Sequence, residues 1–214
     1  MRIVAVSSLL LALAGLSACS STGGTAAAPA PAAVLQKAPG AATVERLRVV
    51  AGDAGAVQER LVRRLKGGRY KLDSASGGVL QLSLQADPQR YVDCGEVAVP
   101  AGGGRPASRF PGAIASHSYT LPIKERLYGV TRKLQLQATV QLQITALGAA
   151  RSQLEVEVKY RLKRQQRAVA EGVAPIQTSD ELVFVSGASA TFPNAPTKCS
   201  ANGRLEDELL DLAG

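Results

Sequence analysis

The sequence predicts an α+β fold: a single domain with one mainly antiparallel β-sheet, and a helix from its N-terminal region and a C-terminal helix packed on one face. Three observations carry this. Two consecutive long segments alternate apolar and polar residues without a break, the period of half-buried strands paired as a hairpin. Two shorter segments, beginning near residues 54 and 203, instead repeat apolar residues at helical spacing. The composition, 46% hydrophobic and 20% charged over 214 residues, is that of an ordinary globular chain. Aromatic content is 4% with no Trp, so the core is expected to be built from Leu, Val and Ala, which argues against aromatic-lined carbohydrate or base-stacking platforms.

In chain order, the first eighteen residues are a signal rather than part of the fold. Arg2 gives a positive start, and Ile3 to Leu16 form an apolar stretch that ends in small residues. The stretch falls short of the roughly 20 apolar residues a spanning helix needs, and it is interrupted by Ser7 and Ser8. Leu16-Ser17-Ala18-Cys19 then resembles the lipobox of bacterial lipoproteins. That resemblance implies a diacylglycerol on the Cys19 thiol, cleavage between Ala18 and Cys19, and acylation of the new amino group. It therefore implies a membrane anchor, since each buried methylene contributes about 0.8 kcal/mol. By the sorting rule of similar enterobacterial lipoproteins, Ser20 points to the outer membrane, with the domain on the periplasmic face.

Residues 19–42 read as a tether. The segment is rich in Ala, Pro, Gly, Ser and Thr, nearly uncharged, and shows no amphipathic period. Extended at ~3.1 Å per residue, some twenty residues would reach up to about 60 Å. The folded part is then 43–214. With Cys19 lipidated, Cys94 and Cys199 are left in an oxidising compartment and are expected to pair. The rivals, a metal site or a catalytic thiol, find no CxxC and only one histidine.

Val44 to Val50 reads as a strand, Asp53 as an N-cap, and Ala54 to Lys66 as a helix stopped at Gly67-Gly68. Ala54, Val57, Leu61 and Leu65 share a face, and Arg60, Arg63, Arg64 and Lys66 lie opposite, close to the C-terminal end of the helix dipole. Short strands follow at Arg69 to Leu72 and Val79 to Leu84. The segment around 100–122, with Gly102-Gly103-Gly104 and little periodicity, reads as a long loop. Leu134 to Ile144 and Leu154 to Leu162 are the alternating pair, and Glu181 to Phe192 a third strand. Asn202 caps a last helix lined by Leu205, Leu209 and Leu212.

Chemistry is sparse. His117 has no visible partner, and no nucleophile elbow, S-x-x-K, H-E-x-x-H or P-loop occurs. Asp87 and Asp93, and Glu155 and Glu157, are spaced as solvated strands and turns give, although acid–base pairs at those positions stay open. No catalytic residue, cofactor or metal is assigned. Charge is the remaining signal: 25 Lys and Arg against 17 Asp and Glu, dense at Arg60, Arg63, Arg64 and Lys66 and again at Arg161, Lys163 and Arg164. The expectation is a non-enzymatic interaction module supporting an outer-membrane or periplasmic complex, with an envelope protein as partner. The alternatives are a binder of lipopolysaccharide or peptidoglycan through the basic residues, and an envelope hydrolase of unrecognised design. A nucleic-acid partner is not expected.

Overall fold

Two strands much longer than their neighbours set the frame. The computed structural model describes residues 35–40, 42–100, 107–123 and 126–214. The expected signal peptide, Cys19, most of the tether and the triple glycine lie outside them. The elements are β1 (Leu35–Lys37), β2 (Leu47–Ala51), α1 (Ala54–Leu65), β3 (Lys71–Ser76), β4 (Val79–Ala86), α2 (Pro88–Tyr91), β5 (Val92–Asp93), β6 (Glu96–Val99), β7 (Ser108–Pro111), β8 (Ser116–Ile123), β9 (Arg126–Ala146), β10 (Arg151–Val169), β11 (Ile176–Val185), β12 (Ser189–Thr191), β13 (Lys198–Ala201) and α3 (Arg204–Asp211). They form a single, mostly antiparallel β domain with three short helices.

β9 and β10 pair along nearly their whole length, from Gly129 opposite Val169 to Ala146 opposite Ser152. Because they outrun their neighbours, each outer edge is shared. β2 and β11 follow one another along β10, pairing with 151–155 and 159–168. Along β9, β8 covers 126–133 and β4 covers 136–143, with β3 beyond β4. Two three-stranded sheets complete the fold, in the orders β1-β6-β7 and β12-β13-β5.

Strand alternation sorts the side chains cleanly. Even-numbered residues of β9 from Tyr128 to Ile144, and of β10 from Ser152 to Arg164, are buried. Leu82, Val140 and Val158 share one apolar cluster with Val57, Leu61 and Leu65 of α1 and Leu205, Leu209 and Leu210 of α3. A smaller cluster joins Val97 and Phe110 to Leu121, Tyr128 and Val130. Full burial of each such leucine contributes about 1.5–3 kcal/mol.

The helices begin and end for local reasons. The Asp53 side chain accepts from Ala56 N at 3.0 Å and starts α1. α3 has Gly203 in the left-handed region at its N-cap, while Asn202, expected as the cap, accepts from Arg204 N at 3.1 Å one position earlier. Glu206 and Asp207 sit in its positive first turn. Its last carbonyls are met by arginines of α1: Arg60 donates to Ala213 O at 2.6 Å, and Arg64 to Leu212 O and Gly214 O at 2.9 Å.

Cys94 and Cys199 are disulfide-bonded and wholly buried, with 4.1 Å between their Cα atoms. The bond ties the turn before β6 to β13, which leads into α3. Two glycines allow close approach around it. A Cβ on Gly95 (φ +66°) would lie 1.7 Å from Lys37 O, and one on Gly112 would lie 2.4 Å from Cys94 O.

Several expected boundaries are corrected. The segment 100–122 is not one loop, because β7 and β8 lie within it. β8 pairs along β9, and Leu121 and Phe110 bury into the smaller cluster. The tether does not run free to 42, since β1 pairs with β6, Leu35 opposite Ala98. The third strand is displaced to 176–185, because Gly187 (φ 77°) turns the chain before β12. β9 and β10 extend well beyond the expected 134–144 and 154–162.

Candidate functional site

The odd-numbered face of the β9–β10 hairpin is exposed apart from the half-buried Gln153, and its composition is unusual for a surface. β9 presents Gln135, Gln137, Thr139, Gln141 and Gln143, and β4 adds Gln81 and Gln85. Beside them β10 presents Glu155, Glu157, Lys159, Arg161 and Lys163. The register sets Glu155 opposite Gln143, Glu157 opposite Gln141, Lys159 opposite Thr139, Arg161 opposite Gln137 and Lys163 opposite Gln135. The long polar strand therefore solvates the charges without neutralising them. Between 155 and 163 the acids come first and the bases follow, with Arg151 exposed beyond the acidic pair. On the far edge of β10 the same face carries apolar residues: Leu47 (46% exposed) and Val49 (50%) from β2, Val183 and Val185 (both 40%) from β11.

Among the described residues, Glu155 and Glu157 enter no ion pair, and Arg161 pairs with Glu181 at 3.5 Å. Lys133, opposite Gln165, and Arg167, opposite Thr131, extend the basic end. No helix among the described residues is long and apolar enough to cross a membrane.

The predicted basic residues do not converge on one patch. Arg60 and Arg64 are spent on the α3 carbonyls, Arg63 pairs with Glu59 at 3.6 Å, and Lys66 caps the exposed end of α1. Arg161 and Lys163 stand on the odd face. Arg164 is an even-numbered residue and turns inward: it is 5% exposed and makes a two-pronged ion pair with Asp180, Nε to Oδ1 at 2.9 Å and Nη2 to Oδ2. Its guanidinium also lies over the Phe192 ring at 4.5 Å.

The candidate acids and the histidine are likewise dispersed. Asp87 caps α2, accepting from Gln89 N at 3.0 Å. Asp93 accepts from Gly95 N at 2.7 Å and Gly40 N at 3.1 Å, a turn-forming role. His117 packs at a tilt against Phe110 with ring centres 4.1 Å apart, and its Nε2 is buried with no hydrogen-bond partner among the described residues. No group of three His, Cys, Asp or Glu among the described residues is placed to hold a metal.

Two buried polar clusters were not legible in the sequence. In the first, Arg132, opposite His117, donates to Gly112 O at 2.6 Å and is almost wholly buried. Burial, followed by repulsion from Arg164, lowers its guanidinium to about 10. In the second, Glu206 is fully buried, and its Oε1 accepts from Tyr160 OH at 2.8 Å and from Ser186 Oγ at 2.7 Å. Ser186 Oγ accepts in turn from Val158 N at 2.9 Å. Burial, with the Glu206 carboxylate beside it, pushes the Tyr160 phenol up. Two residues on along α3, Glu208 accepts from Arg69, from Arg90 at 2.9 Å, and from the Tyr91 hydroxyl at 3.0 Å. These networks lock α3 onto the sheet and α2. They would have shown in the sequence only as polar interruptions of inward-facing positions.

Comparison with protein-family models, with curated proteins and with solved structures finds no match to this chain.

Proposed function

We propose that the chain is an envelope lipoprotein, anchored through lipid on Cys19 to the outer membrane and facing the periplasm. In this reading the domain is a non-enzymatic interaction module. Helices α1 and α3 cover the even-numbered face of the main sheet, and the odd-numbered face is left to dock a protein partner in an assembly or maintenance complex. The observation that supports this best is the long uncovered face itself: amides and hydroxyls on β4 and β9, a segregated charge stripe on β10, and exposed Leu47, Val49, Val183 and Val185 along one edge. A line of exposed apolar residues bordered by polar groups able to hydrogen-bond is a feature of protein-binding surfaces.

The test is photocrosslinking in cells from benzoylphenylalanine placed at Gln137, with Arg63 on α1 as the comparison. The reading expects protein adducts from Gln137 and few from Arg63; equal yields from both would contradict it.

A second reading is favoured by one observation. Lys133, Lys159, Lys163 and Arg167 gather at one end of the same face, and none of the four is in an ion pair among the described residues. Such a cluster suits lipopolysaccharide phosphates or peptidoglycan carboxylates. Binding of this kind would weaken steeply with salt, as exposed charges are screened beyond ~8 Å at physiological ionic strength. Pull-down by purified polymers at two salt concentrations separates it from protein docking.

A further inference from the structure

We infer that the odd-numbered face docks a second copy of this chain, two molecules packing face to face about a two-fold axis. The inference rests on the reading of that face as a docking surface and names its occupant. It is carried by a symmetry in the charge pattern. Along β10 the outward residues run Gln153, Glu155, Glu157, Lys159, Arg161, Lys163. Reversed about the point midway between Glu157 and Lys159, the series meets its own complement: Glu157 faces Lys159, Glu155 faces Arg161, and Gln153 faces Lys163. A two-fold axis lying in the interface, across the strands at that point, performs this reversal, and a closed dimer requires such self-complementarity.

The neighbouring strands obey the same operation independently. On β9 the axis sets Gln141 against Thr139 of the second copy and Gln143 against Gln137, pairs of groups able to hydrogen-bond to one another. On the outer edge, Leu47 stands opposite Glu155 and Val183 stands opposite Arg161, both along the same side of β10. The rotation that brings Glu155 over Arg161 therefore also brings Leu47 over Val183, and it sets Val49 over Glu181.

The scale is sufficient. At about 4.8 Å between strands and 3.3 Å per residue, β9 and β10 over the stretch 151–165 of β10 that the axis halves, with β4 on one side and β2 and β11 on the other, offer a face of roughly 800 Å². A stable interface takes about 800 Å² per partner. Twisted sheets stack in this aligned manner in β-sandwiches, some 10 Å apart. Within one molecule the arrangement is unfavourable, since Glu155 and Glu157 adjoin one another, as do Lys159, Arg161 and Lys163. A second copy sets Glu157 and Glu155 against Lys159 and Arg161, and gives Lys163 the Gln153 side-chain oxygen as acceptor.

The experiment uses the full chain in cells, produced with two different tags and with benzoylphenylalanine at Gln141. A crosslinked species of twice the chain's mass carrying both tags is expected. Two variants then test the pattern: Glu155→Lys with Glu157→Lys makes the stripe wholly basic, and Lys159→Glu with Arg161→Glu and Lys163→Glu makes it wholly acidic. Each alone should lose at least ten-fold in dimer yield, and co-production should restore a mixed dimer to the original level. Unchanged yield in either variant, or no restoration between variants whose thermal midpoints match the parent, overturns the inference. Capture of a different protein from Gln141 and never a second copy also overturns it, while leaving the docking-face reading intact. Capture of nothing removes both.

Discussion

Breaking the Cys94–Cys199 bond should remove a large part of the domain's stability. The two residues are 105 apart in sequence, and closing a loop of that length in the unfolded chain contributes about 4.7 kcal/mol by the chain-entropy relation. Strands already hold the ends together in the folded state, since β13 pairs with β5 immediately beside the bond, Ser200 opposite Asp93. Loss of the bond therefore leaves the native geometry in place and acts mainly through the unfolded chain. Domains of this size lose about 2–4 °C in midpoint per kcal/mol, so a fall of roughly 9–19 °C is expected. Against a total of about 5–15 kcal/mol, the reduced domain keeps a thin margin. The assay is thermal unfolding of the oxidised protein, of protein reduced while unfolded, and of the Cys94→Ala/Cys199→Ala variant. The reduced and substituted forms should fall together. A shift below about 3 °C in both would refute the reasoning, because the loop would then not restrict the unfolded ensemble.

Three further outcomes follow from named contacts. Burial alone would raise the Glu208 carboxyl, but hydrogen bonds from Arg90 and Tyr91 and the charges of Arg69 and Arg90 hold it below its ordinary 4.5. A carboxylate lowered on folding stabilises fully above its unfolded value, and the gain is lost as pH falls through the folded one. Glu208→Gln should therefore cost about 2 kcal/mol at neutral pH and flatten the acid limb of a denaturation curve below pH ~4.5; an unchanged acid limb would count against the network. Tyr160→Phe removes a donor from the buried Glu206 carboxylate at little change in volume, and should lower the urea midpoint by the equivalent of about 1–3 kcal/mol. Gly95→Ala would drive a Cβ into Lys37 O, so hydrogen exchange at Gln36 and Val97, paired across β1 and β6, should accelerate while exchange in β9 stays slow.

What could be read from the sequence was whatever obeyed a period. The segments 134–144 and 154–162 alternate apolar and polar residues without exception, and both lie inside the central hairpin. Asp53 followed by Val57, Leu61 and Leu65 marked α1 to within a residue. The hairpin's outer half escaped notice because its inward positions include Arg132, Arg164 and Gln166. A buried arginine satisfied by Gly112 O or by Asp180 looks, in sequence, like a surface residue. β8 was hidden for a related reason: Ser116-His117-Ser118-Tyr119-Thr120 alternates only in size, and Pro122 argues against a strand. Pro122 is accommodated because β8 lies at the edge of β9. The odd-numbered polar face was legible as a row of glutamines, but its charge symmetry required the register. Only the pairing of β2 and β11 along one edge of β10 places Leu47 and Val183 on the same line as the stripe.

Lysine labelling compares the face in the cell and in solution without assuming a partner. Intact cells made permeable to an amine-reactive reagent, and the purified chain diluted to a monomer, are labelled in parallel and read residue by residue. Protection in cells is expected at Lys133, Lys159 and Lys163, with Lys66 on α1 and Lys71 on β3 labelled equally in both samples. Equal labelling of all five would mean that nothing covers the odd-numbered face where the protein works.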